Sequence, residues 1–420
     1  MAITEQGICR IEAINNQGLG TGRTGLGTTL LPYVIPGELV SFERHSYRGK
    51  SNCVLKGIIE ESPSRIRPEC KYFGSCGGCL LQHMDKDNYA KFKFSLIDTA
   101  LKSVSIETKI NRIIIIQKGE RRRANLEAIK KDEQVYLGFH RFHSHQIINI
   151  DACPVLMPEL SDLLNPLKNV LSKVLSHKQK AQIFCTKASN GVDLVLELQN
   201  QTQLTKEQRE FLLSFGRDHG IIRLQFRSTG IFDVVLEIDE PHIILGSIPV
   251  TIDADGFLQS SFTSDQLLAD LVQKYLPPEV VDKLKVADLF CGRGTFALPL
   301  SQHFNVDGFE SDEAALHSLG RASKDIRLEK RDLFIFPLST LELNKYNYIV
   351  INPPRAGASA QCSKIASSLC ERIAYISCNP ESFARDAKIL CDSGYKLLEV
   401  TPIDQFYWSS HLEVVGLFVK

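Results

Sequence analysis

The 420-residue sequence has no long apolar run, no net charge, no internal repeat and no low-complexity segment. Its longest obvious apolar run, Ile113 to Ile116, falls far short of the roughly 20 residues that span a bilayer, which argues against a membrane-spanning helix. The N-terminal stretch MAITEQGICR lacks the apolar core of an export leader, so a soluble, cytoplasmic protein is expected. Forty-nine Lys+Arg balance 49 Asp+Glu. That balance argues against a protein that holds nucleic acid by bulk positive charge, although it leaves room for local basic stripes. Hydrophobic residues make up 43% and charged residues 23%, which are globular values and exclude long disorder, collagen and coiled coil. At roughly 100–200 residues per domain, two to four domains are expected.

Cysteine is the residue present in excess: twelve occur, too many to pass without comment in a reducing compartment, where clustered thiols point to metal or catalysis. Cys70, Cys76 and Cys79 are spaced C-x5-C-x2-C among Gly74, Gly77 and Gly78, and Cys153 stands far downstream in "DACPVL". Glycines permit the sharp turns that wrap thiolates around one centre, and a distant fourth ligand would staple two parts of a domain. Tetrahedral zinc also suits four thiolates and stays open. A single close cysteine pair is fewer than zinc knuckles usually offer, which tilts the reading towards [4Fe–4S].

The chain divides into three patterns. Residues 1–62 alternate short strand-like runs with Gly/Pro punctuation, as a small β-barrel does, with basic Arg44, Arg48, Lys50 and Lys56. Residues 63–255 hold the cysteine loop, a helical stretch at 86–101, further helices near 158–175 and 204–218, and two strand hairpins at 182–198 and 230–246, an α+β mixture. From 256 to 420, strand-like runs at 285–290, 305–310, 325–329, 346–351 and 373–377 are separated by helix-length segments, the pattern of a doubly wound α/β sheet. Two further runs, 395–400 and 413–419, read as an antiparallel addition.

The segment "VADLFCGRGTFALPL" (286–300) ends a strand at Phe290 in a turn with Gly292 and Gly294, where backbone can approach a ligand closely. The next strand ends in Glu310, which can accept ribose hydroxyls, and Asp332 follows the third strand, where it can meet an adenine edge. A full G-x-G-x-x-G with a phosphate-facing helix is missing, as is a P-loop lysine, which favours S-adenosylmethionine over a dinucleotide or nucleoside triphosphate. Loops after the fourth and fifth strands carry "INPPRAGA", with Asn352, and "YISCNPESFARD", with Cys378 directly after the strand. An open α/β sheet keeps its reactive groups at these carboxyl ends. A thiolate there suits pyrimidine carbon chemistry. Uracil C5 is a poor nucleophile until a thiolate adds to C6, and a base must then remove the C5 proton. Glu413, in "SSHLEVV", is a carboxylate near the same edge.

Together these residues resemble the RNA uracil-5 methyltransferases, class I S-adenosylmethionine-dependent enzymes, and especially the branch with an N-terminal TRAM barrel and an iron–sulfur cluster that acts on 23S rRNA. The resemblance spans essentially the whole chain. It implies that Cys378 in "SCNP" is the nucleophile, that Glu413 in "HLEVV" is the base, and that Gln259 in "FLQSS" helps hold the cofactor. With Asp288, Phe290, Gly292, Gly294, Glu310, Asp332 and Asn352, Gln259 completes the expected cofactor set. The implied cluster ligands are Cys70, Cys76, Cys79 and Cys153. An OB-like TRAM barrel at 1–62 implies RNA contact, a central cluster-bearing domain occupies 63–255, and the Rossmann-like methyltransferase domain occupies 256–420. Departures are Asn352 where the family usually has aspartate, Ser261 and Thr295 at positions where asparagine is usual, and Tyr407-Trp408 in place of a proline-containing turn.

Arg121, Arg122 and Arg123, with Lys130 and Lys131 beyond, offer phosphate contacts, but in a strand three adjacent side chains alternate faces, so at most two can share one track. Such contacts would position a splayed-out base. The expected partner is RNA: 23S rRNA is favoured and a tRNA T-loop uridine is possible. No obligate protein partner is evident. Competing readings are a base amino-methyltransferase using N-P-P, which Arg355 in place of an aromatic residue disfavours, and a non-catalytic RNA-binding module, which Cys378 and Glu413 disfavour. A cytosine-5 enzyme would usually show a second cysteine where Pro353-Pro354 stand.

Overall fold

The computed structural model describes residues 3–25, 27–47, 50–277 and 284–420. Near the N-terminus, strands Ile3–Arg10, Leu39–Tyr47 and Lys50–Glu60 form one antiparallel sheet, and Ala13–Ile14, Gly20–Thr24 and Gly27–Leu31 a second. They share a core of Cys9, Ile11, Leu31, Val34, Val40 and Phe42. Gly22 is required where the sheets cross, because a Cβ there would stand 2.7 Å from the Arg10 carbonyl oxygen. Ladder bonding does not join the two sheets into one closed barrel among the described residues. Two of the basic residues expected to face solvent here, Arg44 and Lys56, are engaged within the fold. Arg44 is buried and donates to Thr29 Oγ1 at 2.9 Å, and Lys56 pairs with Glu43 at 2.8 Å. Arg48 lies outside the described residues, as does the side chain of Lys50.

The middle of the chain forms a six-stranded sheet in the order Gln134–Gly138, Arg123–Lys131, Lys180–Ala188, Gly191–Leu198, Ile221–Ser228, Ile231–Glu237. Helices Pro158–Asp162, Leu164–Val174 and Lys206–Asp218 fall where the apolar period placed them. The expected hairpin at 182–198 forms, whereas 230–246 splits between two sheets. Ile231–Glu237 pairs back to Ile221–Ser228, and His242–Leu245 pairs forward with Ile248–Thr251. Turn chemistry explains the second pairing. Gly246 and Ser247 both have positive φ, 54° and 72°, as a two-residue type I′ hairpin loop needs.

The C-terminal sheet runs Arg327–Lys330, Asn305–Glu310, Lys285–Leu289, Tyr348–Ile351, Arg372–Ser377, Glu413–Val419, Lys396–Asp404. In chain order this is 3-2-1-4-5-7-6. The first five strands are parallel, and only Glu413–Val419 runs antiparallel. Lys396–Asp404 therefore lies parallel to the first five and is not part of an antiparallel addition. Its connection from the fifth strand is the helix Pro380–Asp392. Strand order reverses between Lys285–Leu289 and Tyr348–Ile351, which is where an open α/β sheet leaves a crevice.

The region 86–116 packs with this sheet and not with the central one. Lys109–Ile110 and Ile114–Ile115 pair in parallel with Lys396–Asp404. Helix Lys86–Ser103, capped by Asp85 through the Asn88 amide, buries Tyr89, Phe92, Leu96 and Ile97 in the same core as Tyr375, Phe383, Val400 and Leu412. Among the described residues no helix is long and apolar enough to cross a membrane.

Candidate active site

Strands Arg372–Ser377 and Glu413–Val419 are buried on both faces, as their nearly continuous apolar sequences require. Their antiparallel register pairs Ser377 with Val414; one step further along, Cys378 stands opposite Glu413. Both line a cavity of about 810 Å³ at the carboxyl end of the parallel strands, within the usual size of small-molecule sites.

Cys378 is half-buried between a strand end and a helix start. Ser377 Oγ accepts the Asn379 amide at 3.2 Å, Asn379 caps the helix by accepting the Glu381 amide at 3.1 Å, and Pro380 occupies the first turn. Asn379 Nδ2 donates to the Arg355 carbonyl at 3.1 Å, tying this loop to the N-P-P-R loop. Burial pushes the Cys378 thiol up to about 11, and the nearby Glu413 charge adds to the rise. Glu413 is buried, and burial pushes its carboxyl up to about 8 against the opposing hydrogen bond from Gln405.

The glycine turn has the backbone a ligand cradle needs. Phe290, Gly292 and Gly294 all have positive φ, 60°, 53° and 92°, and a strained non-glycine such as Phe290 is common at functional sites. A Cβ on Gly292 would meet nothing within 4 Å, whereas one on Gly294 would meet Leu319 Cδ1 at 2.5 Å. Gly292 thus leaves open space and Gly294 permits helix packing. Glu310 accepts the Ser311 and Asp312 amides on Oε1 at 2.6 and 2.9 Å, and the Gly292 amide on Oε2 at 3.1 Å. A carboxylate has about four acceptor sites, so Oε2 retains capacity for a hydroxyl.

Gln259, Phe290, Gly292, Glu310 and Asn352 line the cavity together with Cys378 and Glu413. Asp288, Gly294 and Asp332 do not. Asp288 is fully buried beneath the turn with no hydrogen bond of good geometry to either oxygen, and burial pushes it up to about 8 against weak help from the Ala297 amide. Asp332 Oδ1 accepts the amides of Phe334 and Ile335 at 2.9 and 3.3 Å, holding the following turn. Phe334 does reach the cavity, 5.4 Å from the Phe290 ring.

The arginine triplet splits as strand alternation demands. Arg121 and Arg123 line the cavity, while Arg122 is fully buried. Arg122 donates from Nε to the Gln259 carbonyl at 3.0 Å, and its Nη2 lies 2.7 Å from Asp265 Oδ2. That approach is not aligned as a hydrogen bond, so the contact is an ion pair. Two further residues at the site escaped the sequence reading. Gln405 joins Gln259 to Glu413, and Ser260 joins Gln405 to the chain before helix Phe262–Tyr275. Neither carries a local signal, because an irregular loop delivers Gln405.

Cys70, Cys76, Cys79 and Cys153 line a second cavity of about 620 Å³, which shares Arg121, Gln405 and Phe406 with the first. Each of Cys76, Cys79 and Cys153 feels the charge of other members of the set, including Cys70. Among the described residues, no three His, Cys, Asp or Glu side chains form a group able to hold a metal ion.

A family model described as tRNA (Uracil-5-)-methyltransferase matches residues 327–420, the span that holds Cys378 and Glu413. An uncharacterized RNA methyltransferase of Brucella melitensis biotype 1 is 36% identical over 426 residues, covering 100% of this chain and 99% of its own. The 23S rRNA (uracil(1939)-C(5))-methyltransferase RlmD of Photorhabdus laumondii subsp. laumondii is 28% identical over 421 residues, covering 97% of this chain and 95% of its own. Among solved structures, the tRNA (uracil-54, C5)-methyltransferase of Pyrococcus abyssi, in complex with S-adenosyl-L-homocysteine, superposes with a TM-score of 0.74 at 21% identity, over 99% of this chain and 100% of its own. That likeness concerns the fold.

Proposed function

The chain belongs to the RNA uracil-5 methyltransferase family, and from that premise we propose that it methylates C5 of a uridine in 23S rRNA through a covalent bond between Cys378 and C6. The observation that carries the mechanism is the placement of Cys378, just past the end of one strand, close to Glu413 at the start of its antiparallel neighbour, both lining one cavity. The ribosomal target is favoured by the likeness to RlmD along nearly the whole chain.

S-adenosylmethionine supplies an electrophilic methyl group when bound. The open space above Gly292 and the spare acceptor capacity of Glu310 fit its nucleoside, and Gln259, Phe290 and Asn352 complete the contacts. Cys378 gives its proton to water in the open cavity, and Sγ adds to C6 of the uracil. The C5=C6 electron pair moves towards C5 and O4, and C5 would take the methyl group as the sulfonium–methyl bond breaks, its electron pair staying on the departing sulfur as a neutral thioether. Glu413 then removes the C5 proton, the double bond re-forms, and Cys378 leaves as a thiolate.

The reading includes a [4Fe–4S] cluster held by Cys70, Cys76, Cys79 and Cys153. Four thiols line one cavity, and the C-x5-C-x2-C spacing, with its single close pair, supports a multi-iron centre over tetrahedral zinc. With four protein ligands the cluster has no open iron. The test is iron and sulfide analysis of anaerobically purified protein. A colourless, zinc-loaded protein would overturn the assignment. The paired sheets of residues 3–60 are read as a TRAM-type RNA contact module, residues 63–255 as the cluster-bearing unit except for 86–116, which join 256–420 in the catalytic unit.

Nucleoside mass spectrometry after incubating unmodified rRNA and tRNA with the protein and methyl-labelled S-adenosylmethionine tests the function. Label in 5-methyluridine of 23S rRNA is expected. Label in tRNA would move the target, and label in a methylated amino group would refute the carbon chemistry. Cys378→Ala should lose turnover while retaining cofactor binding, and Glu413→Gln should accumulate a protein–RNA adduct on denaturing gels.

A further inference from the structure

Gln405 sits buried between Gln259 and Glu413 with every polar atom of its amide engaged. Its Nε2 donates to Glu413 Oε2 at 2.7 Å and to Gln259 Oε1 at 3.0 Å. Its Oε1 accepts the Ser260 amide at 3.3 Å and Ser260 Oγ at 2.9 Å. The Ser260 amide can only donate, so the atom facing it must be the oxygen, and the amide cannot flip. Glu413 is therefore met by a donor, which an ionised carboxylate accepts and a protonated one does not need. Its second oxygen, Oε1, makes no hydrogen bond among the described residues, and Glu413 lines the cavity. The same network engages the Gln259 oxygen with Gln405 and leaves its amide nitrogen without a partner among the described residues.

We propose that Gln405 is a positioning residue of the methyl-transfer reaction: it holds Glu413 ready to accept the C5 proton on its unbonded oxygen and sets the Gln259 amide with its donor towards the cavity. This rests on the proposed uracil-C5 chemistry and adds a residue that neither the motifs nor the family likeness singles out.

The groups around Glu413 leave this task to Gln405. Cys378 stands near it, just past the end of the neighbouring strand, and a thiolate there would repel its charge. The buried Lys93–Asp404 pair, 2.7 Å apart, stands at the end of strand Lys396–Asp404. His411, two residues earlier, is pushed down by burial and by Arg355 and Lys93, so it stays neutral. The Arg122–Asp265 pair lies behind Gln259 and Ser260, each partner occupied by the other. Burial raises Glu413, and the Gln405 N–H is the one interaction that works against it. Without that donor the carboxyl holds its proton to higher pH and cannot take a second one.

The test is Gln405→Met, which keeps the volume and removes the hydrogen bonds. Single-turnover methylation and the fraction of covalent protein–RNA adduct are followed between pH 6 and pH 9.5. The expected result is adduct formation at the wild-type rate, release slowed about tenfold at neutral pH, and a rising limb of the pH profile moved about one unit alkaline, since a one-unit shift changes the deprotonated fraction tenfold. A uniform loss at all pH values without adduct accumulation would overturn the proposal. If the methionine variant does not fold, Ser260→Ala decides, because it loosens the amide while keeping the chain polar contacts. A smaller alkaline shift supports the proposal, and an unchanged profile overturns it. Absence of 5-methyluridine with wild-type protein would instead sink the functional reading itself, so the two failures are distinguishable.

Discussion

Arg121, Arg122 and Arg123 are neighbours in sequence yet meet different surroundings, and their contrast shows what one residue can decide. Strand alternation sends Arg122 into the interior against Asp265, under the Phe262 ring at 4.8 Å, and leaves its neighbours at the cavity. Removing Arg122 strands a buried carboxyl. Arg122→Leu is expected to cost about 3 kcal/mol in denaturant unfolding. The cost should be largest above pH 6, because burial already pushes Asp265 up to about 6 with Arg122 opposing it, and below that a bound proton removes the unpaired charge. Arg122→Leu with Asp265→Leu should regain most of the loss. Arg123→Ala, whose Nη2 donates to the Asp255 carbonyl at 3.1 Å, should change stability by under about 1 kcal/mol and instead weaken RNA binding more at low salt than at high salt. The alternation was legible in the sequence. The identity of the inward partner was not, because Asp265 lies 143 positions from Arg122 and on a helix.

The element on which the site most depends is a loop, residues 405–412. Its hydrogen bonds come from far away in sequence. Lys93 Nζ bonds Asp404 Oδ1 at 2.7 Å and the carbonyls of Phe406 and His411, and Tyr89 Oη donates to Asp404 Oδ2 while accepting the Trp408 amide at 2.8 Å. The amides of Leu80 and Leu81 donate to the Trp408 carbonyl at 2.9 and 3.2 Å. Residues directly after Cys79 thus hold the loop that carries Gln405 to Glu413. Lys93→Met removes three of these bonds and leaves Asp404 buried beside an apolar chain. We expect kcat to fall tenfold or more, and the KM for S-adenosylmethionine to rise less, since among the proposed cofactor contacts the loop reaches Gln259 through Gln405 while Phe290, Gly292 and Glu310 lie on other elements. Equal losses in both, or unchanged kcat, would refute this role for the helix. Trp408 has φ of 61°, and this turn stands where the family resemblance leads one to expect proline. Neither the apolar period nor the family motif identifies a loop held in this way, because its geometry is imposed by its partners.

At the scale of the whole molecule, residues 86–116 belong to the packing of the C-terminal sheet although they precede it by more than 160 positions. Lys109–Ile110 and Ile114–Ile115 cover what would otherwise be the exposed edge of Lys396–Asp404, and an uncovered edge is prone to pairing with other chains. A fragment of residues 256–420 should therefore aggregate or unfold without cooperativity, as read by sedimentation and thermal circular dichroism. A soluble monomer with a sharp transition would show that the 86–116 segment is dispensable to this fold. The doubly wound pattern, the helices at 158–174 and 206–218, and the arrangement of Cys378, Glu413 and the glycine turn at strand ends were determined by local rules: side-chain period, capping chemistry and the places where a parallel sheet ends. Only the tertiary structure decided that Gln405 bridges Gln259 and Glu413, that Arg122 faces inward to Asp265, and that a helix beginning at Lys86 braces the catalytic edge. Apart from Gln405 and Glu413, which are 8 positions apart, those contacts join residues more than 140 positions apart, and burial, hydrogen-bond capacity and unpaired charge select them in a packed interior where no periodicity along the chain can register them.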